Sequence, residues 1–154
     1  MRAVVQRVQA ATVTVGGHPV GRIGHGLVVF VGIAPNDSEA VVAKFAEKVA
    51  GLRIFEDADE RMSLSLTDVA GGVLCISQFT LYGDVRRGRR PSFDTAAPPE
   101  VAKPIYEAFC TAIGRQGIAC ERGVFGAHME VTLVNDGPVT LILDSEALEL
   151  PRRT

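Results

Sequence analysis

Leu27-Val28-Val29-Phe30-Val31-Gly32-Ile33 is an unbroken apolar run, and its reading decides the fold. A strand with one wet face alternates polar and apolar residues, so a continuous run of β-branched and aromatic side chains predicts a strand buried on both faces. Gly24-His25-Gly26 punctuates the chain before it. Upstream, Ala3–Val8 and Thr12–Val15 are rich in β-branched residues, and Gly16-Gly17 supplies a hairpin turn. Downstream, Asn36-Asp37-Ser38 offers helix N-caps. Val41, Val42, Phe45, Val49 and Leu52 follow at three- and four-residue steps, which predicts an amphipathic helix.

Residues 53–70 are polar with short apolar islands and are read as short strands and loops. Gly71-Gly72 opens a second buried strand, Val73–Gln78. Residues 83–99 form a long Arg- and Pro-rich connection, a length that suggests function. Pro98-Pro99-Glu100 starts a second helix with Val101, Ile105, Phe109 and Ile113 on one face and Gly114 or Gly117 near its end. Met129–Val134 and Val139–Leu143 are read as two strands separated by Asn135-Asp136-Gly137-Pro138. The connections are too irregular for a doubly wound sheet. The expected fold is therefore α+β: one domain with a curved, mainly antiparallel, barrel-like sheet and two main helices.

The chain has 154 residues, 47% apolar and 22% charged, with a net charge of −2, so an RNA partner would have to be held by a local patch. Cys75, Cys110 and Cys120 form an odd set without C-x-x-C spacing, which argues against a disulfide framework or a zinc site. His18, His25 and His128 share no metal-ligand spacing, and the chain carries no P-loop, no dinucleotide fingerprint and no nucleophile elbow. No cofactor and no metal are expected. The first residues fit neither a signal peptide nor a membrane anchor, and no apolar run approaches a bilayer span. The expectation is a reduced, soluble, cytoplasmic protein.

Three segments carry chemistry. Ser77-Gln78-Phe79-Thr80, at the end of a buried strand, gathers hydroxyl, amide and backbone donors that could hold a carbonyl or an ammonium group; the plainer reading is an edge strand with turn chemistry. Arg86-Arg87-Gly88-Arg89-Arg90 cannot bury its charge. It is a surface loop whose forks match phosphate, or else a solvated loop or subunit contact. Asn135-Asp136-Gly137-Pro138-Val139-Thr140 is either a plain turn or a Gly-Pro step in the cis form, which would turn two consecutive carbonyl oxygens the same way.

In order along the chain, Ala3-Val4-Val5-Gln6-Arg7-Val8, Arg53-Ile54-Phe55, Ser77-Gln78-Phe79-Thr80-Leu81, Arg90-Pro91-Ser92-Phe93, Phe125-Gly126-Ala127-His128-Met129 and Asn135–Thr140 resemble the D-aminoacyl-tRNA deacylase family. The resemblance covers residues 1–145 as one domain; the tail, residues 146–154, has no counterpart in it. It implies hydrolysis of the ester of D-aminoacyl-tRNA, and of mischarged glycyl-tRNA, by a homodimer with active sites at its interface. Ser77, Gln78, Phe79 and Thr80 would be the catalytic pocket. Gly137 and Pro138, a cis dipeptide from the partner subunit, would exclude L-amino acids. Phe125, Gly126, Ala127 and Met129 would hold the terminal adenosine, while Arg86, Arg87, Arg89 and Arg90 are candidates for the tRNA backbone. Catalysis would rest on positioning, with help from the ribose 2′-hydroxyl. Thr80 as a covalent nucleophile, and a non-catalytic dimer that only binds RNA ends, are the competing expectations.

Overall fold

The computed structural model describes residues 1–151. The strands are β1 (Arg2–Val15), β2 (His18–Ile23), β3 (Gly26–Gly32), β4 (Phe55–Glu56), β5 (Met62–Leu64), β6 (Gly72–Ser77), β7 (Cys120–Arg122) and β8 (Glu130–Asp144). The helices are α1 (Glu39–Ala50), α2 (Pro99–Gly114) and a short α3 (Ser145–Glu149), and Phe79–Tyr82 is a 3-10 turn.

Alternation of burial along β1 explains its role as the spine of the sheet. One edge pairs antiparallel with β8 from Arg2↔Asp144 to Thr14↔Glu130. The other edge is shared, β3 taking Arg2 to Val8 and β2 taking Ala11 to Val15. The turn into β2 uses Gly16 and Gly17 at φ +56° and +80°, the paired left-handed conformation that a tight hairpin demands. Serving three partners bends β1, and the sheet curls toward a nearly closed barrel. Parallel pairing then adds β6 to β3 and β7 to β6.

The reading of residues 27–33 as a strand buried on both faces holds. Leu27, Val29 and Val31, with Val73 and Cys75 of β6, face the helices in the larger core cluster. Val28, Leu74 and Ile76 face inward against Val8, Ala11, Val13 and Ile23. α1 is capped as its sequence predicts, with Ser38 Oγ accepting from Val41 N at 3.4 Å. It buries Val42, Phe45, Ala46, Val49 and Ala50.

Four readings are corrected. The two N-terminal strand segments are one, because β8 bridges the gap between β2 and β3 along β1. Residues 129–143 likewise form one strand with a bulge, not two strands around a turn. The buried face of α2 is Ala102, Tyr106, Phe109, Cys110 and Ile113, whereas Val101 is exposed and Ile105 only partly covered. Tyr106 can turn inward because its hydroxyl donates to the Cys75 carbonyl at 2.8 Å, removing the cost of burying it. Last, a third helix follows β8: Asp144 caps it by accepting from Glu146 N at 2.9 Å, so the tail assigned to residues 146–154 begins as helix. Its last three positions, 152–154, lie outside the described residues. Among the described residues no helix is long and apolar enough to cross a membrane.

Candidate active site

β6 ends at Ser77 because the chain makes its last ladder-like bond at Gln78, whose N–H donates to Val31 O at 2.8 Å, and then tightens into the 3-10 turn. The expected strand carrying Ser77 through Thr80 is therefore a strand end followed by a turn. The turn's own bonds begin with Leu81 N to Gln78 O at 3.2 Å, so the N–H groups of Phe79 and Thr80 have no partner within the turn. Ser77 and Gln78 are half-buried, whereas Phe79 and Thr80 are exposed. The Gln78 amide donates to Thr80 Oγ1, so that oxygen is already an acceptor and keeps its own proton to offer.

Ser77, Gln78 and Phe79 open onto a cavity of about 570 Å³. Phe125, Gly126, Ala127, His128 and Met129 line its opposite side, so the structure brings together two segments that lie far apart in sequence. Its remaining wall was missed in the sequence: Ile33, Ile76, Val131, Phe93, the residues from Ala96 to Pro99, and Ala102 at the start of α2. Phe93 could have been found, since it ends Arg90-Pro91-Ser92-Phe93; small residues entering a helix carry no such signal. Phe93 packs edge-on against Phe79 with ring centroids 5.0 Å apart, and Tyr106 backs Phe125 at 5.9 Å. The lining is apolar apart from Ser77, Gln78 and His128, a composition suited to a flat ring anchored by few polar contacts.

Gly137 and Pro138 are elsewhere. Neither lines the cavity of its own chain, and both are exposed. They sit in the bulge of β8: Gln6 faces Thr140 and Val8 faces Asn135, so Arg7 alone opposes the four residues 136–139. The bulge is firmly held. Asn135 Nδ2 donates to Arg7 O at 2.9 Å and to Val139 O at 3.0 Å. Arg7, 4% exposed, sends Nη1 to Ile54 O at 2.7 Å and Nε to Asp136 O at 3.2 Å, and its Nε lies 3.3 Å from the Asp136 carboxylate. Gly137 has φ +125°, and a Cβ there would stand 2.9 Å from Val139 Cγ2 and 3.1 Å from Arg7 Nη2. The Gly137–Pro138 peptide is cis.

The arginine loop is anchored at its base by Asp84 N to Ser92 O at 2.7 Å and Ser92 N to Asp84 O at 2.9 Å. Arg86 folds back on Asp84, Nη2 to Oδ2 at 2.6 Å, and the guanidinium holds that carboxyl down to about 2. Arg87, Arg89 and Arg90 are exposed. Among the described residues these three make no ion pair, so the loop's free positive charge sits at its tip.

The family model described as D-Tyr-tRNA(Tyr) deacylase matches residues 4–144. A protein of Koribacter versatilis named D-aminoacyl-tRNA deacylase is 59% identical over 146 residues, 95% of this chain and 98% of the relative. One of the same name from Thermus aquaticus is 59% identical over 145 residues, 94% and 95% of the two chains. The solved structure of the "c-Myc DNA Unwinding Element Binding Protein" superposes with a TM-score of 0.87 at 40% identity, covering 94% of this chain and 98% of the other. Matched over nearly its whole length by that family's model, and with relatives at such identity, the chain belongs to the D-Tyr-tRNA(Tyr) deacylase family.

Proposed function

We propose that the protein hydrolyses the ester linking a D-amino acid to the 3′ end of its tRNA, and spares the L form. The observation that carries this reading is the cavity: Ser77 and Gln78 stand on its wall, Thr80, bonded by the Gln78 amide, follows in the adjoining turn, and an aromatic, otherwise apolar hollow lies beside them. The hollow suits the terminal adenosine, with Phe125, Gly126, Ala127 and Met129 along one side. The rim suits the ester carbonyl. One well-placed donor to a developing oxyanion is worth about 2.7–4 kcal/mol, a useful share of the barrier for an already activated ester.

Ser77, Gln78 and Thr80 are assigned to binding and orientation, with the ribose 2′-hydroxyl assisting the attacking water. The chemistry around Thr80 supports this over a covalent route. A threonine nucleophile needs a neighbouring base, and the side-chain partner of Thr80 is an amide, which takes no proton.

Handedness is assigned to Gly137 and Pro138 contributed by a second copy of the chain. Two observations support a shared site: the pair is exposed on a rigidly held bulge yet absent from its own cavity, and the outward face of β8 leaves Val134 and Ile142 53% and 84% exposed beside it. In the homodimer the bulge would crowd the Cα substituent of an L residue, whereas a D side chain, or the bare hydrogen of glycine, would pass. Glycyl-tRNA would then also be a substrate. Arg87, Arg89 and Arg90, with Arg86 only if it leaves Asp84, would meet the tRNA backbone.

The test is to incubate the chain with D-tyrosyl-tRNA and L-tyrosyl-tRNA and measure free amino acid. Release from the D form alone is expected. Binding of both without release would favour a protein that merely holds RNA ends.

A further inference from the structure

β6 and β7 run side by side and then part, and the cavity opens where they separate. Their ladder ends at Cys75↔Arg122, and one more bond follows, Gly123 N to Cys75 O at 3.1 Å. Beyond it β6 carries on into Ser77, Gln78 and Phe79, one side of the cavity. The other strand becomes the loop that lays Phe125 to Met129 along the opposite side. The Cys75 carbonyl is therefore the branch point of a fork.

Tyr106 sits in that fork. It comes from α2, one turn after Ala102; Ala102 lines the cavity, whereas Tyr106 is buried behind it. Its hydroxyl donates to the Cys75 carbonyl at 2.8 Å, and its ring centroid lies 5.9 Å from that of Phe125. That carbonyl already has the Gly123 N–H, so a phenylalanine at position 106 would leave no buried acceptor unpaired. The hydroxyl instead ties α2 to the point from which both sides of the cavity diverge. The two sides are not equally free. Gln78 N donates to Val31 O at 2.8 Å, which fastens the Ser77 side to β3 independently of α2. The other side is a loop closed on itself, with Ala127 N donating to Val124 O at 3.2 Å. A Cβ at Gly123 would meet Met129 Sδ at 2.5 Å, so Met129 folds back over that glycine, and a shift at Gly123 carries the loop with it.

We propose that Tyr106 is a positioning residue of the candidate site. Through the Cys75 carbonyl and the Phe125 ring it fixes the gap between the two sides, and so the affinity for the nucleoside that enters between them. Under the proposed function, on which this rests, that nucleoside is the terminal adenosine of tRNA. Because Ser77 and Gln78 keep their own anchor on β3, loosening the brace weakens binding and leaves the chemical step alone. KM then rises while kcat holds, the pattern of lost uniform binding. A tyrosine that only filled the core would give the reverse: partial unfolding lowers the apparent kcat and leaves KM unchanged.

Two variants of the full chain test it, with D-tyrosyl-tRNA hydrolysis and equilibrium dialysis of adenosine 5′-monophosphate as readouts. Tyr106→Phe removes the oxygen and keeps the ring; Tyr106→Leu removes both. Tyr106→Phe should raise KM about fivefold, the loss of one hydrogen bond, with kcat within about twofold of the unaltered chain. The Kd of adenosine 5′-monophosphate should rise by the same factor. Tyr106→Leu should raise both further, since Phe125 loses its backing. In a Phe125→Ala background, Tyr106→Leu should add less than it does alone, because the brace has no ring left to hold. If Tyr106→Leu fails to fold, Tyr106→Phe decides alone. Hydrolysis by the unaltered chain with KM and Kd unmoved in Tyr106→Phe, or with kcat falling at constant KM, overturns the brace and leaves the proposed function standing. No hydrolysis by the unaltered chain sinks that function, and nucleotide binding then judges the brace: equal Kd in the two proteins, or binding by neither, overturns it.

Discussion

Arg7 reaches across from β1 to hold Asp136 twice, by its backbone carbonyl at 3.2 Å and its carboxylate at 3.3 Å, while its other arm closes on the Ile54 carbonyl at 2.7 Å. A planar fork meets these acceptors together where an ammonium would meet one. Arg7→Ala leaves the buried Ile54 carbonyl without its donor, which should cost roughly 2 kcal/mol of stability. Arg7→Lys should recover less than half of that. Urea midpoints of the two variants decide it, and unchanged midpoints would show the fork to be ornamental.

Gly137 tolerates no side chain, since its φ of +125° and the 2.9 Å approach to Val139 Cγ2 both act against a Cβ. Gly137→Ala should lose about 1–3 kcal/mol from backbone strain. In the proposed function it should also disturb the bulge that excludes the L form. The ratio of D- to L-tyrosyl-tRNA hydrolysis is expected to drop at least tenfold; an unaltered ratio would move the handedness filter elsewhere.

In the proposed function Thr80 orients the substrate and its partner Gln78 cannot serve as its base, so Thr80→Ala should slow single-turnover hydrolysis without abolishing it. No acyl-enzyme should be trapped with the unaltered protein at acid quench. A dead variant together with a trapped ester on Thr80 would restore the covalent route.

Within the arginine loop, charge position predicts unequal effects. Each of Arg87→Ala, Arg89→Ala and Arg90→Ala should lower the salt slope of tRNA binding by about one if the replaced guanidinium neutralises a phosphate. Arg86→Ala should change the slope least, since its guanidinium is already engaged by Asp84. Equal slopes in all four variants would contradict the assignment.

The Asp84 carboxyl should titrate at about 2, below its ordinary 3.8, with the hydrogen bond from Arg86 as the main cause. With the folded value depressed, whatever the pair contributes is complete above pH 3.8 and disappears as pH falls through about 2. Carboxyl NMR chemical shifts measure this directly, and Arg86→Ala should return the midpoint toward 3.8.

Much of this was legible in the sequence. The run at residues 27–33 announced a strand buried on both faces, Ser38 and Pro98-Pro99 marked helix starts, and the glycine pair at 16–17 marked the hairpin. What stayed hidden depends on partners distant in sequence. The length of β1 is set by β8, which lies more than a hundred residues away, so local pattern split it in two. The inward turn of Tyr106 depends on one carbonyl of β6. For the candidate site, residues 77–79 and 125–129, singled out in the sequence, line one cavity, but the end of β6 at Ser77 follows from a bond to Val31 that no local reading contains. The engagement of Arg86 by Asp84 was equally invisible, since two residues of opposite charge at that spacing need a turn to bring them face to face.

Because β1 is laid down first and its longest partner, β8, is completed only at Asp144, synthesis imposes an order. Until the ribosome has delivered residue 144, one whole edge of β1 hangs open, with bare N–H and C=O groups and no neighbour. The seam then zips between segments more than a hundred residues apart, the kind of long-range closure that folds slowly. An open edge of that length is a template for self-association, so refolding yield should fall with protein concentration more steeply than the stability of the finished sheet would suggest.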